Sequence, residues 1–178
     1  MLKILSASEI ANLDQIHLEK LEVSNHAFME LVAQRFVSWF QAQGFPSTTQ
    51  IVVCAGPGNN GGDGLAIARL LYSLGYALEV ATCFSAEAKL AADCKQNHSL
   101  LPKQIPCYPL DSSPLPDGGI LIDAYLGIGC KGILREEALF RIKKINSFGG
   151  KIIALDLPSG LPADTSPAGL VVQATTTV

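Results

Sequence analysis

Apolar residues in the first part of the chain recur at helical spacing. Between residues 6 and 22 they fall near one face, and Ser6 with Glu9 matches a capping box at the start of a helix. Residues 24–44 continue with a denser apolar pattern that stops at Gly44, a residue that suits the end of a helix. The pattern predicts two leading helices, the first amphipathic and the second buried on more than one side.

After Pro46 the pattern changes to short apolar segments that alternate with helical ones. Strands are predicted at residues 50–55, 77–84, 105–110, 119–126 and 151–160, and helices at 63–74, 85–100 and 135–150. Short β-branched strands between helices are typical of a parallel sheet with both faces covered. We therefore expect a doubly wound α/β fold with a mainly parallel sheet, helices on both faces and two leading N-terminal helices.

The 178 residues contain no internal repeat and no low-complexity linker, so we expect residues 1–178 to form a single domain. Residues 169–178, GLVVQATTTV, predict one more strand, which nothing later in the chain could cover. We expect a domain truncated at its C-terminus, with this end either oligomeric or disordered. A version extended by further strand and helix is expected to be more stable.

Composition narrows the classes of function. The net charge is −3 and 48% of the residues are hydrophobic, which gives no electrostatic reason to expect nucleic acid or a membrane surface as a partner. The five cysteines form no C-x-x-C pair, and the three histidines fall outside zinc-like spacing. The N-terminus lacks the apolar core of a signal peptide. These features favour a cytoplasmic protein with small-molecule partners.

A glycine-rich segment, GPGNNGGDG, lies between the first predicted strand and the helix that follows it. Gly56, Gly58 and Gly61 match G-x-G-x-x-G, and Glu79 follows about twenty residues on, near the end of the next predicted strand. This is the pattern of a dinucleotide site, but it is weak by itself because glycine turns also serve packing. An ordinary nicotinamide dehydrogenase is one interpretation of it.

Three polar residues of the same segment favour a different ligand. Asp63 would repel a phosphate at the helix N-terminus, whereas Asn59 and Asn60 carry amide oxygens. Hard oxygen ligands attract a cation, and a cation would relieve the repulsion between Asp63 and a phosphate. No G-K-[ST] sequence follows, which argues against a P-loop nucleotidase. The segment therefore predicts a cation site beside a phosphate site.

Two more predicted strands end in an aspartate that is followed by glycine or serine. Asp123 precedes a second glycine-rich loop that contains Lys131, and Asp156 precedes Pro158 and Ser159. Open α/β sheets bind ligands at the carboxyl ends of their strands, so we expect the three strand ends to form one cleft. Each aspartate alone also fits a turn or a helix cap, and Lys131 fits either a phosphate contact or a solvated side chain.

The segments GPGNNGGDG, IDAYLGIGCKG and LDLPSG, with LDQIHLEK and FMELVA in the leading helices, resemble the YjeF N-terminal domain family, the NAD(P)H-hydrate epimerases. The resemblance covers nearly the whole chain. It implies a Rossmann-like fold, bound potassium, and interconversion of the R and S epimers of hydrated NADH and NADPH (NADHX and NADPHX) in nicotinamide nucleotide repair. The implied potassium ligands are Asn60, Asp123 and Ser159. The implied substrate contacts are Asn59, Asn60, Gly61, Gly62, Asp63, Gly127, Ile128, Gly129, Cys130, Lys131, Gly132, Ile133 and Asp156.

General acid–base catalysis by a carboxylate suits this exchange, because one hydroxyl must be protonated as it leaves C6 and one water deprotonated as it adds. Asp156 is the candidate catalytic residue. Potassium is expected to act as a template for phosphate and loop, since a monovalent ion polarises weakly. A homodimer and a separate ADP- or ATP-dependent dehydratase are the partners left open, as is the preference for NADHX or NADPHX.

A non-catalytic scaffold or nucleotide-binding module is the alternative, since this fold also occurs in an mRNA decapping scaffold and in an apolipoprotein-binding protein. Such a protein would be free to lose Asn60, Asp63, Asp123 or Asp156, and all four are present. A dehydrogenase would leave the acidic first loop unexplained. The epimerase is therefore favoured.

Overall fold

The computed structural model describes residues 5–130, 132–167 and 169–178. Two helices lead the chain, α1 at Ala7–Leu21 and α2 at Asn25–Ala42, as the sequence predicts. They are followed by strands and helices in alternation. The fold class is confirmed as α/β.

Helix α1 begins at the predicted capping box. Ser6 Oγ accepts a hydrogen bond from the backbone N–H of Glu9, and the Ser6 N–H donates to Glu9 Oε2 at 2.8 Å. The backbone N–H of Ala7 donates to Asp164 Oδ1 at 2.9 Å. No residue of α1 is buried. The helix therefore lies at the surface and does not contribute to the core.

Helix α2 buries one face only. Its buried residues repeat at helical spacing and are Met29, Ala33, Phe36, Val37 and Phe40. Leu31 and Val32 are 44% and 42% exposed. The prediction that this helix is buried on more than one side is therefore wrong. The helix packs against one neighbouring helix, so the apolar side chains on its other sides stay exposed to solvent.

Six strands within the described residues form one parallel sheet in the order β3-β2-β1-β4-β5-β6. The strands are β1 Ile51–Ala55, β2 Leu78–Thr82, β3 Cys107–Pro109, β4 Ile120–Ala124, β5 Lys151–Ala154 and β6 Thr176–Thr177. The chain passes from the β1 side to the β4 side after β3, so the strand order reverses between β1 and β4. A ligand crevice is expected at that point, beyond the carboxyl ends of the strands.

Three further helices cover the sheet, α3 at Asn59–Ser73, α4 at Ala92–Ser99 and α5 at Glu136–Asn146. Residues of α2, α3 and α4 form one buried cluster with one face of the sheet. Ile142 and Ile145 of α5 belong to a second cluster on the other face. Helices on both faces confirm the doubly wound architecture.

Three element boundaries differ from the sequence prediction. Helix α3 begins at Asn59 rather than near Asp63, so the glycine-rich segment is mostly helical. Helix α4 begins at Ala92, several residues later than the apolar pattern suggests. Only Thr176–Thr177 pair as the last strand. No helix among the described residues is both long and apolar enough to cross a membrane.

Candidate functional site

The site lies where β1, β4 and β5 end. Helix α3 starts four residues after β1, and irregular loops follow β4 and β5. The register pairs Cys54 of β1 with Asp123 of β4, and Asp123 with Ala154 of β5. The three motifs of the sequence are therefore brought to one edge of the sheet, as predicted.

The glycines of the first motif allow close packing at this edge. A Cβ at Gly56 would overlap the backbone of Tyr125, and a Cβ at Gly61 would overlap the backbone of Gly56. A Cβ at Gly64 would lie 2.5 Å from Cβ of Ala124. The first turn of α3 therefore sits directly against the ends of β1 and β4, which brings the side chains of the motif to the loop after β4.

Asn60 is the residue of the first motif that contacts this loop. Its Nδ2 donates to the backbone carbonyl of Leu126 at 3.0 Å. A Cβ at Gly127 would lie 3.2 Å from Cβ of Asn60 and 3.0 Å from Oδ2 of Asp156. Gly127 therefore separates the asparagine from the candidate catalytic carboxylate.

Asp123 and Ser159 form a buried pair behind this contact. Both are 0% exposed. Ser159 donates from Oγ to Asp123 Oδ1 at 2.6 Å and from its backbone N–H to Oδ2 at 2.8 Å, and the Tyr125 N–H donates to Oδ1 at 3.2 Å. Burial raises the pKa of Asp123, and the bonds from Ser159 and Tyr125 oppose that rise. The carboxylate has hydrogen-bond donors around it but belongs to neither ion pair found among the described residues.

The carbonyl of Leu126 joins the two halves of this oxygen cluster. It accepts from Asn60 Nδ2 and lies 3.3 Å from Ser159 Oγ, while the Leu126 N–H donates to Ser159 Oγ at 2.8 Å. The sequence did not indicate Leu126, because a backbone carbonyl leaves no signature in residue type. The oxygens of Asn60, Asp123, Ser159 and Leu126 are the kind of ligands that hard cations prefer.

Asp156 has a strained backbone. Its φ of 62° lies in the left-handed region, which is uncommon for any residue except glycine and costs about 1–3 kcal/mol. The Asp156 N–H donates to the Val178 carbonyl at 2.9 Å, and its Oδ2 accepts from the Ile128 N–H at 2.9 Å. Burial raises the pKa of Asp156, and the bond from Ile128 opposes that rise. This conformation turns the carboxylate towards the loop after β4.

Asp63 is mostly buried in the first turns of α3. Burial, reinforced by the charges of Asp156, Asp14 and Asp93, raises its pKa to about 7. Its side chain makes no hydrogen bond or ion pair with the described residues. Asp14 of α1 is a neighbour that the sequence motifs did not indicate, because α1 lies far from the motifs in sequence and comes near them only in the folded protein.

The loop after β4 is only partly described. The Cys130 N–H donates to the Gly127 carbonyl at 3.0 Å, and Gly132 has a φ of 73°. Ile133 is 90% exposed and lines a cavity of about 210 Å³ together with Cys130. Lys131, predicted to contact substrate, lies outside the described residues. For Asn59 and Ile133 the structure records no contact with the oxygen cluster.

The position of Glu79 differs from the one that the sequence predicts. Glu79 is the second residue of β2 and accepts from the Tyr108 hydroxyl at 2.6 Å, so it lies near the start of that strand and not at its end. It is therefore remote from the carboxyl edge where a ribose-binding acid belongs, which weighs against a dehydrogenase. Among the described residues, no three His, Cys, Asp or Glu side chains form a metal cluster. A cation here would depend on neutral oxygens as well as carboxylates.

The chain is similar to a known family and to several single relatives. The family model described as YjeF-related protein N-terminus matches residues 25–178. A protein of Limosilactobacillus fermentum named NAD(P)H-hydrate epimerase is 33% identical over 175 residues, which cover 98% of this chain and 83% of the relative. A protein of the same name from Leuconostoc mesenteroides is 30% identical, covering 100% of this chain and 80% of the relative.

A longer relative and a solved structure extend the comparison. The bifunctional NAD(P)H-hydrate repair enzyme Nnr of Coxiella burnetii is 33% identical over 165 residues, which are 90% of this chain and 34% of that protein. The crystal structure of yeast ynu0, YNL200c, superposes with a TM-score of 0.74 and 27% identity, covering 99% of this chain and 79% of that chain. The likeness therefore extends over nearly all of the chain in both sequence and fold.

Proposed function

The chain belongs to the family of YjeF-related protein N-termini, and from this we propose that it is an NAD(P)H-hydrate epimerase, an isomerase that interconverts the R and S epimers of NADHX and NADPHX. Relatives of this name align with the chain from end to end. The observation that carries the proposal is the position of Asp156, whose left-handed backbone and bond from Ile128 hold a carboxylate at the crevice between β1 and β4.

The chemistry begins with the hydroxyl on C6 of the hydrated ring. The lone pair of the ring nitrogen expels this hydroxyl, which leaves as water once it is protonated, and a second water adds to the opposite face. Asp156 is the residue that exchanges a proton with one of these oxygens. The Ile128 N–H occupies Oδ2, so Oδ1 is left for this transfer. Asn59 to Asp63 and Gly127 to Ile133 would contact the rest of the substrate.

We further propose that the oxygen cluster holds potassium, with Asn60, Asp123 and Ser159 as ligands. The residues present fit this ion, because a positive charge nearby would stabilise a fully buried carboxylate that has no basic partner in the described part of the chain. When bound, the ion would supply positive charge for the phosphates of the substrate and order the loop after β4. The proton transfers belong to side chains of the protein.

The remaining partners are also proposals. A separate ADP- or ATP-dependent dehydratase would remove the hydrate after epimerisation, in line with the bifunctional repair enzyme to which this chain is similar over one part. We place both reactions in the cytoplasm and leave the oligomeric state open, with a homodimer as one candidate.

The test is incubation of the purified protein with a single epimer of NADHX or NADPHX, followed by chromatography. We expect the second epimer to appear faster than in a protein-free control, and faster in potassium than in tetramethylammonium chloride at equal ionic strength. A scaffold or nucleotide-binding module would bind the hydrate and leave the protein-free rate unchanged. That result would refute the epimerase.

A further inference from the structure

The proposed reaction needs two proton transfers, and Asp156 accounts for one. Water leaves one face of C6 and adds to the other, so a single carboxylate is poorly placed to serve both oxygens. Asn59 and Asn60 do not titrate, and Ser159 is engaged with Asp123 and Leu126. Asp123 is 0% exposed and cannot contact substrate. Of the carboxylates in the three sequence motifs, Asp63 remains.

The helix places Asp63 at the crevice. It follows Asn60 by three residues and Asn59 by four, so all three share one side of α3. Its neighbours Gly62 and Gly64 point elsewhere, since added Cβ atoms would meet Met29 in one case and Ala124 in the other. Asp63 is therefore turned away from the packed sides of α3 and towards the same opening as Asn60.

The two carboxylates stand in different environments. Oδ2 of Asp156 accepts from the Ile128 N–H, a bond that stabilises the ionised form. Asp63 has no such donor in the described residues. The charged groups that act on it are all acidic and come from three elements: Asp156 after β5, Asp14 of α1 and Asp93 of α4. A pair of carboxylates with contrasting surroundings is how one site provides both an acid and a base near neutral pH.

We propose that Asp63 is a second catalytic carboxylate, which serves the opposite face of C6 from Asp156. The two carboxylates carry one proton in total, so one is the acid when the other is ionised. This inference rests on the proposed function. In one direction the Asp63 acid protonates the departing hydroxyl, and the C6–O bond breaks as the nitrogen lone pair forms the C=N bond. Water then adds to the other face and gives a proton to Asp156, while the C=N π pair returns to nitrogen. The reverse reaction starts from the Asp156 acid and the Asp63 carboxylate.

The sharing of one proton predicts the pH dependence. Activity requires one proton on the pair, so it falls on the alkaline side when that proton is lost and on the acid side when a second is gained. The pKa of Asp63, raised to about 7 by burial and its acidic neighbours, places the alkaline limb near neutral pH. Removal of a neighbouring negative charge lowers this pKa, so the alkaline limb moves to lower pH.

The test uses the full chain in potassium buffer with one purified epimer of NADHX, and measures kcat and KM between pH 5 and 9. We expect Asp63→Asn to lower kcat by at least about a hundredfold, and Asp63→Glu, which keeps a carboxylic acid, to recover part of that loss. KM is expected to change by less than about threefold in Asp63→Asn, since substrate binding does not need the proton. An Asp63→Asn variant with a wild-type kcat and pH profile would overturn the proposal.

Asp14→Asn tests the same proposal without altering the crevice. It should keep the plateau kcat and move the alkaline limb down by about 0.2 to 0.7 pH unit, as for a surface charge pair. Carbon-13 NMR of the Asp63 carboxyl should show the same shift without any substrate. The matched control is Asp117→Asn, which changes an exposed aspartate in the loop before β4 at the opposite edge of the sheet. It should shift neither the alkaline limb nor the carbon-13 titration of Asp63. An unmoved limb in Asp14→Asn overturns the pairing, whereas an inactive wild-type protein overturns the proposed function itself.

Discussion

Asp156 combines a left-handed backbone with a fixed side chain, and this defines a prediction at the scale of one residue. Asn tolerates the left-handed region at least as well as Asp, so Asp156→Asn should keep the fold while removing the group that exchanges a proton. We expect epimer exchange to fall by about a hundredfold to ten-thousandfold. Chromatography of a single epimer gives the rate and a thermal melt reports the fold. Exchange at a rate close to wild type would remove Asp156 from the mechanism.

Gly127 tests how closely Asp156 must be held. A Cβ there would lie 3.0 Å from Asp156 Oδ2 and 3.2 Å from Cβ of Asn60, so one of these neighbours has to shift by a few tenths of an ångström. Because small displacements of a catalytic group are costly, we expect Gly127→Ala to lower kcat by about tenfold. The matched control is Gly118→Ala, where the added Cβ meets nothing within 4 Å. Equal kcat values for the two variants would show that this spacing is unimportant.

At the scale of elements, the packing of α3 against the sheet depends on Gly64. An alanine Cβ there would lie 2.5 Å from Cβ of Ala124 and 3.2 Å from Val53, so the helix must move away from β1 and β4. We expect Gly64→Ala to lower the free energy of unfolding by about 1–3 kcal/mol, although alanine is the better helix former. Gly58→Ala, whose Cβ meets nothing within 4 Å, should cost less than about 1 kcal/mol. Urea denaturation of both variants shows whether the loss of stability in Gly64→Ala comes from the contact with Ala124 or from replacing any glycine of this segment.

The same helix shows how far sequence patterns can locate elements. Alternation of apolar segments identified the order of strands and helices correctly, because each buried strand and each helix face follows a period set by the backbone. The start of α3 was missed by four residues, since Asn59 to Gly62 have poor helix propensity and become helical where Gly61 packs against Gly56 and Gly62 against Met29. The burial of α2 was also missed, because the number of covered faces of a helix is not encoded in local periodicity.

At the scale of the molecule, the sequence predicted that the three strand ends would meet, and the parallel sheet confirms it. That expectation followed from a general property of open α/β sheets, which does not depend on details of packing. The carbonyl of Leu126 and the carboxylate of Asp14 could not be predicted in this way. The first contributes through its backbone, and the second comes from a helix whose position depends on tertiary contacts such as that between Ala7 and Asp164. Motifs indicate the edge of the sheet, and the fold decides which further groups reach it.

The burial of Asp63 beside acidic neighbours should also lower the stability of the whole molecule as pH rises. Its pKa is about 7 in the folded protein against 3.8 when unperturbed, so the folded state binds this proton more tightly. Wild-type stability therefore falls as the pH rises from about 4 to 7, and the full penalty applies above 7. Asp63→Asn removes the ionisable group and should be more stable at pH 8 by roughly 2 kcal/mol, less than the full shift would give because solvent reaches part of Asp63 and screens its charge.

This stability difference can be measured without substrate. For a chain of this length, roughly 2 kcal/mol corresponds to an increase in Tm of about 4–8 °C at pH 8. The increase should shrink steadily between pH 7 and pH 4, because the wild-type folded state is then protonated at no cost in charge repulsion. Asp117→Asn serves as the control. Because this aspartate is exposed at the other edge of the sheet, the variant should have the same Tm as wild type at pH 8 and at pH 4. A gain in Asp63→Asn that is constant with pH would mean that the amide improves packing and that the charge of Asp63 is not the cause.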